Sequence, residues 1–427
     1  MTFTALDNYR EPMTGVTPGA TVLYPAYQTQ SDLLAPLRAV AGLAARASDA
    51  WRSDFPRSAI LMNLGATYEL VARMGFSHAR PAFGIDHIVV DGHEVSVTEK
   101  AVHATPFGTL LRFSTDTEIG RPRVLLVAPL SGHFATLLRE TVRTMVADND
   151  VYLTDWHNAR DIPLVDGRFG FDEYIEHLMR FLDLIGPGAH VVAVCQPCVA
   201  ALVATSVMAQ GGHPAVPRSL TLMAGPIDAR VNPTKVNELA TSKPITWFER
   251  NLIASVPWRY PGSFRRVYPG FLQVVAFMSM NRERHASAHR KLFTDLARND
   301  RASALATASF YDEYFAVLDL TAEFYLETVQ KIFQNFELPL GTLEWQGRRV
   351  EPAAIRRTAL LTVEGERDDI CAVGQTVAAH DMCPNIGGTT RGHHLQSGVG
   401  HYGVFNGRRW QSQIYPIVHN FIRANDW

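Results

Sequence analysis

The stretch His190–Val199, HVVAVCQPCV, constrains this chain more than any other. Val191–Val194 is a short apolar run rich in valine, which reads as a strand buried on both faces of a parallel sheet. It ends on Cys195, and Pro197 then suits the first turn of a helix, where its missing N–H costs no hydrogen bond. Val199–Met208 continues as that helix. Cys195 is therefore expected at a sharp strand-to-helix turn, beside the free N–H groups of a helix start. Such groups favour a thiolate and can hold a developing oxyanion. Two other readings compete. A buried cysteine is commonly a small hydrophobe, and Cys195-Gln-Pro-Cys198 is also a C-x-x-C of the thiol–disulfide type. The ten residues alone leave all three open.

The 427 residues allow a large core. A formal net charge of −2 gives no electrostatic case for nucleic acid or an anionic membrane. Four cysteines are too few for a disulfide framework in so long a chain, and their spacing lacks a two-pair zinc pattern. The start, MTFTALDNYREPM, shows no basic-then-apolar signal, and no apolar run reaches the length of a membrane span. A soluble cytoplasmic protein is the expectation, with self-association left open.

Residues 1–20 read as a loose arm. Leu33, Leu34, Leu37, Val40, Ala41, Leu43 and Ala44 fall at helical spacing within Tyr27–Trp51, and a second helix is expected over Ala59–Met74. Such a helix could lie on an apolar particle surface; packing on the chain's own core is the default. Val95–Ala104 and Phe107–Phe113 read as antiparallel strands. From Arg121 strands and helices alternate: Val124–Ala128, Val151–Trp156, Phe171–Leu184, the His190 stretch and Ser219–Met223. That alternation implies a parallel sheet covered on both faces. It stops over 232–347, which is helical and rich in aromatics, and resumes with a strand at Thr358–Val363, a helix at Val373–Met382, a strand at Thr389–Leu395 and a closing helix over Arg408–Arg423. The fold expected is α/β, with a mostly parallel sheet and an inserted helical cap. Its division would be an N-terminal extension over 1–90, core over 91–231 and 348–427, and the cap over 232–347.

A catalytic thiol needs a histidine to take its proton and an acid to hold that histidine. Asp368 and Asp369 follow the late strand TALLTVEGERD, and His401 follows the last strand in a glycine-rich loop. Nucleophile, acid and histidine thus come in the order of the α/β-hydrolases, whose nucleophile elbow is usually G-x-S-x-G. Here it is Ala193-Val194-Cys195-Gln196-Pro197, without either glycine. Thioredoxin-like chemistry gives no reason for the later pair.

Over nearly its whole length, from about Tyr24, the chain resembles the intracellular polyhydroxyalkanoate (poly(3-hydroxybutyrate), PHB) depolymerases. The strings that carry the likeness include LLVAPLSGHFATLLRETV, VYLTDWHNARDIPL, VVAVCQP, RSLTLMAGPIDARVNPTKVNELA and HHLQSGVGHYGVFNGRRW. The resemblance implies a Cys195–His401–Asp368 triad, with Asp369 the lesser candidate acid and Cys198 a packing residue. It also implies attack on ester bonds of the amorphous polyester granule, an acyl-Cys intermediate, and release of 3-hydroxybutyrate oligomers and monomer without metal or organic cofactor. The Gln196 N–H, with that of Leu130 from the loop after the first parallel strand, would hold the oxyanion. Ser131, His133 and Trp156 are further candidates for substrate contact, and His393 and His394 are expected as strand residues. Rival functions are a polyester synthase-like acyltransferase using hydroxyacyl-CoA, a thiol–disulfide oxidoreductase, and a non-catalytic granule coat.

Overall fold

A computed structural model describes residues 20–55, 58–116, 120–280 and 282–426. The expected N-terminal arm falls almost wholly outside them. Two helices come first, α1 (Ala20–Asp54) and α2 (Ala59–Ala72). Ser58 caps α2 by accepting a hydrogen bond from the Leu61 N–H.

Among the described residues the central sheet has nine strands. Its first seven in sequence are β1 (His87–Val90), β2 (His93–Ala104), β3 (Gly108–Thr115), β4 (Arg123–Val127), β5 (Asp150–Trp156), β6 (His190–Val194) and β7 (Ser219–Met223). Ala359–Gly365 and Arg391–Gln396 complete it. The spatial order is β1-β2-β3-β5-β4-β6-β7, then Ala359–Gly365, then Arg391–Gln396. Everything from β5 to Arg391–Gln396 is parallel, and β1–β3 extend one edge antiparallel. This is the sheet of an α/β-hydrolase.

Valine-rich β6 and the neighbouring β7 are buried at every position, as strands covered on both faces must be. Helices α3 (Arg139–Met145), α4 (Phe171–Ile185) and α5 (Pro197–Gln210) supply much of that cover. α4 does so with one stripe, burying Phe171, Tyr174, Ile175, Leu178, Phe181, Leu182 and Ile185 at three- and four-residue steps. α5 is buried along most of its length, so its sequence shows no polar face.

Between β7 and Ala359–Gly365, which pair directly, the chain leaves the sheet. It runs through α6 (Lys235–Ser242), α7 (Ile245–Leu252), α8 (Gly270–Met280), α9 (Arg282–Ala297), α10 (Arg301–Tyr314) and α11 (Ala322–Thr328). The helical character expected over 232–347 is thus observed.

Two elements differ from expectation. The helix expected over Val373–Met382 is helical only over Ala379–Met382. Gly374 has φ +100°, and the Glu364 carboxylate accepts the N–H groups of Gly374, Thr376 and Val377, holding a turn in place of a helix start. The second is α1. The residues that would have faced a core, Leu33, Leu37, Val40 and Leu43, are exposed.

Candidate active site

Every candidate catalytic residue follows the carboxyl end of a parallel strand, where open α/β sheets place their chemistry. Cys195 follows β6, Leu130 and Ser131 follow β4, Asp368 follows Ala359–Gly365, and His401 follows Arg391–Gln396.

The elbow has the geometry the sequence implied. Cys195 has φ +68° and Gln196 is already in the right-handed helical region. A left-handed conformation at a residue with a Cβ costs about 1–3 kcal/mol and persists only where its surroundings enforce it. Here the Cys195 N–H donates to Met223 O at 2.8 Å, and Cys195 O accepts the N–H of Cys198 at 3.1 Å. With Ala193 and Pro197 where glycines usually stand, the room comes from Gly225 beyond β7. A Cβ on Gly225 would lie 2.1 Å from Cys198 Cβ and 2.8 Å from Cys195 O. The Gly225 N–H and carbonyl both bond to Thr376 Oγ1, which fixes that close approach.

His401 and Asp368 lie 33 residues apart and meet through their loops. His401 Nδ1 and Asp368 Oδ2 are 2.8 Å apart, and both side chains are buried. The other carboxylate oxygen of Asp368 accepts the N–H groups of Ile370 and Cys371. Three donors therefore fix one carboxylate, while Asp369 is exposed. Gly365 lets the two loops approach: a Cβ there would sit 2.9 Å from Val399 O. On its other side the imidazole lies within electrostatic reach of Cys195. Burial opposes the protonated ring, but the Asp368 carboxylate and Cys195 outweigh it, and the pKa of His401 is raised well above the usual imidazole range. This favours a protonated imidazole at neutral pH.

Cys198 is not poised for redox chemistry. All four cysteines are free. Cys198 is fully buried, with its thiol 3.3 Å from Ala193 O and 3.5 Å from Met223 O, and burial pushes its pKa well up. Cys371, against Asp368, is likewise held neutral by burial. Both behave as packing thiols.

A cleft of about 1640 Å³ opens onto Cys195. Leu130, Ser131 and Gln196 line its floor, and Phe248, Tyr268, Phe271, Phe277, Phe324 and Phe333 from the helical insertion line its walls. Leu23, Ala26, Tyr27 and Leu34 of α1 form part of its rim. Neither the Gln196 N–H nor the Leu130 N–H donates to a protein acceptor among the described residues, so both remain available to an oxyanion. The Gln196 side chain was missed from sequence: it is buried, and among the described residues neither its Nε2 nor its Oε1 has a partner.

Two of the residues considered for substrate contact lie elsewhere. Trp156 is buried beneath the β4 loop, donating from Nε1 to Ala128 O at 2.9 Å and packing on Tyr174. His133 is buried against Tyr314 and Phe277, and burial lowers its pKa to about 4, so it is neutral. Neither lines the cleft: Trp156 ends β5 beneath the β4 loop, and His133, within that loop, is turned inward. His393 and His394 are strand residues, bonded to Thr362 and Gln396.

Residues 224–426 match the family model described as PHB de-polymerase C-terminus. The protein is an α/β-hydrolase with a PHB depolymerase C-terminus. That match supports an ester hydrolase. The matched segment contains Asp368, His401 and the whole helical insertion; Cys195 precedes it. No curated protein matches the sequence. Among solved structures, a monoacylglycerol lipase from Paleococcus ferrophilus aligns at 12% identity over 74% of this chain and 99% of that one, with a TM-score of 0.42. An epoxide hydrolase from Bacillus megaterium aligns at 14% identity over 79% and 99%, with a TM-score of 0.41. A thermophilic esterase from Thermogutta terrifontis aligns at 14% identity over 78% and 100%, with a TM-score of 0.39. The strand order above, rather than these likenesses, carries the fold.

Proposed function

We propose that this hydrolase depolymerises amorphous poly(3-hydroxybutyrate) through a Cys195–His401–Asp368 triad. The observation that carries the reading is the thiol at a strained elbow, with a buried His–Asp pair within electrostatic reach, lining a large and mostly apolar cleft. Small-molecule sites run to about 300–1,000 Å³; the larger volume here and its aromatic walls suit an extended apolar polyester segment.

His401 holds the proton of Cys195, and Asp368 fixes the ring tautomer and stabilises the imidazolium. The thiolate attacks the ester carbonyl carbon. The carbonyl oxygen becomes an oxyanion, held by the N–H groups of Gln196 and Leu130. Collapse breaks the ester C–O bond, and His401 protonates the departing hydroxyl end of the chain. Water, deprotonated by His401, then attacks the acyl-Cys195 thioester and releases the new carboxylate and the thiol. The products are 3-hydroxybutyrate oligomers and monomer. In this reading residues 232–347 are a cap on a core formed by 91–231 and 348–427, and the protein works at the granule within the cytoplasm.

The intermediate provides a direct test. Rapid quenching during turnover of a p-nitrophenyl 3-hydroxybutyrate ester, followed by peptide mass analysis, should find the acyl group on the peptide containing Cys195. An adduct on a serine, or on Cys371, would overturn the assignment.

A further inference from the structure

Helix α1 has two apolar faces, and the described residues cover one of them. The covered face carries Tyr24 and Ala41 against the rest of the fold. On the other, Leu33 is 75% exposed, Leu37 56%, Val40 63% and Leu43 61%, in steps of three and four residues that align them in one stripe. Exposed apolar residues scattered singly need no explanation, but a contiguous stripe of large ones does.

Charge has been kept off this stripe. Across residues 33–45 the one charged residue is Arg38, and its guanidinium turns inward to Ser31 O and Met74 O. Asp32, at the stripe's start, is paired with Arg259 at 2.7 Å. The residue before Arg259 is Trp258, itself 80% exposed, so the ion pair ties a bare indole from the helical insertion to the beginning of the stripe.

Position says what covers it. Ala26 and Leu34, on the same helix, line the cleft that leads to Cys195, so the stripe continues the apolar lining outward past the mouth. We propose that the exposed face of α1, with Trp258 beside it, docks the protein on the surface of a water-insoluble apolar polyester particle and seats the cleft mouth against it. The inference rests on the polyester reading of the cleft. A solid substrate must be met at its surface, and an uncharged apolar ridge beside the mouth lets a chain segment enter without crossing bulk water. Recognition is by area removed from water, so binding should be insensitive to salt.

The test compares wild type with the triple variant Leu33→Gln/Leu37→Gln/Val40→Gln and, on a separate element, Trp258→Ser. Cosedimentation with protein-free amorphous poly(3-hydroxybutyrate) particles, particle hydrolysis, turnover of soluble p-nitrophenyl butyrate and light scattering are measured together. The expected result is a loss of particle binding and particle hydrolysis by about tenfold or more in the triple variant, and a smaller loss in Trp258→Ser. Soluble-ester turnover should stay within about twofold of wild type, as expected for surface substitutions. Particle binding equal to wild type in both variants would overturn the proposal. So would loss of soluble-ester turnover along with binding, which would make the stripe part of the fold. A wild-type dimer that the triple variant dissociates without losing particle binding would assign the face to a second copy. Wild type that hydrolyses particles without cosedimenting with them ends the docking proposal alone; wild type that binds particles but cleaves neither substrate ends the functional reading and leaves docking standing.

Discussion

Asp368 and Asp369 are adjacent in sequence, and only the fold separates their roles. Asp368 is buried and receives His401 and two backbone N–H groups, while Asp369 is exposed. Asp368→Asn is therefore expected to lower kcat by about 10⁴, the scale of losing the carboxylate that fixes a catalytic histidine, and Asp369→Asn by little. Steady-state turnover of a soluble ester separates the two. Because the Asp368 carboxylate and Cys195 raise the pKa of His401 against the effect of burial, the imidazolium persists at neutral pH. The His401 imidazole, followed by NMR, should then titrate well above the ordinary value of about 6.5, and in Asp368→Asn its midpoint should move down toward that value. An unchanged midpoint would remove the ion pair from the mechanism. Much of this was legible in sequence, since Cys195, Asp368 and His401 each follow a recognisable strand. The Gln196 side chain was not, because lacking a partner is a property of the space around a residue.

At the scale of elements, the alternation from Arg121 onward was readable because a strand covered on both faces shows as a continuous apolar run and α4 as a clean stripe. What failed did so for nameable reasons. Periodicity found the apolar face of α1 but could not say whether protein covers it, and the default of core packing proved wrong for Leu33, Leu37 and Val40. At Val373 the helical pattern lost to three N–H groups captured by the distant Glu364. Glu364→Gln should loosen that turn and cost about 1–3 kcal/mol, the range for leaving buried donors poorly satisfied, measured by urea unfolding. Gly225→Ala forces a Cβ onto Cys198 and the Cys195 carbonyl. It should cost about 1–3 kcal/mol as overpacking and lower turnover as well, because the strain falls on the elbow. A variant with wild-type stability and rate would contradict that account of the missing elbow glycines.

On the scale of the whole molecule, α1 is held to the insertion by a buried acid. Asp319 accepts Tyr24 Oη–H at 2.6 Å and the Gly270 N–H at 2.8 Å. Burial dominates and raises its pKa from 3.8 to about 6, against the lowering effect of those hydrogen bonds. Between these values the folded state holds a proton the unfolded chain releases, so this group's contribution is complete below about pH 4 and is lost as pH rises through about 6. Asp319→Asn should flatten that part of the stability profile, read as Tm against pH. No sequence pattern marked this contact, which joins residues 295 positions apart. The same long-range assembly makes the cleft, with floor, walls and rim drawn from segments far apart in the chain. The central claim is that the thiol at its floor cleaves a polyester. The most direct measurement is 3-hydroxybutyrate release from amorphous poly(3-hydroxybutyrate) particles by wild type and by Cys195→Ala. Release by wild type that falls to background in Cys195→Ala is the predicted result; equal release by both, or none by a folded, particle-bound wild type, would contradict it.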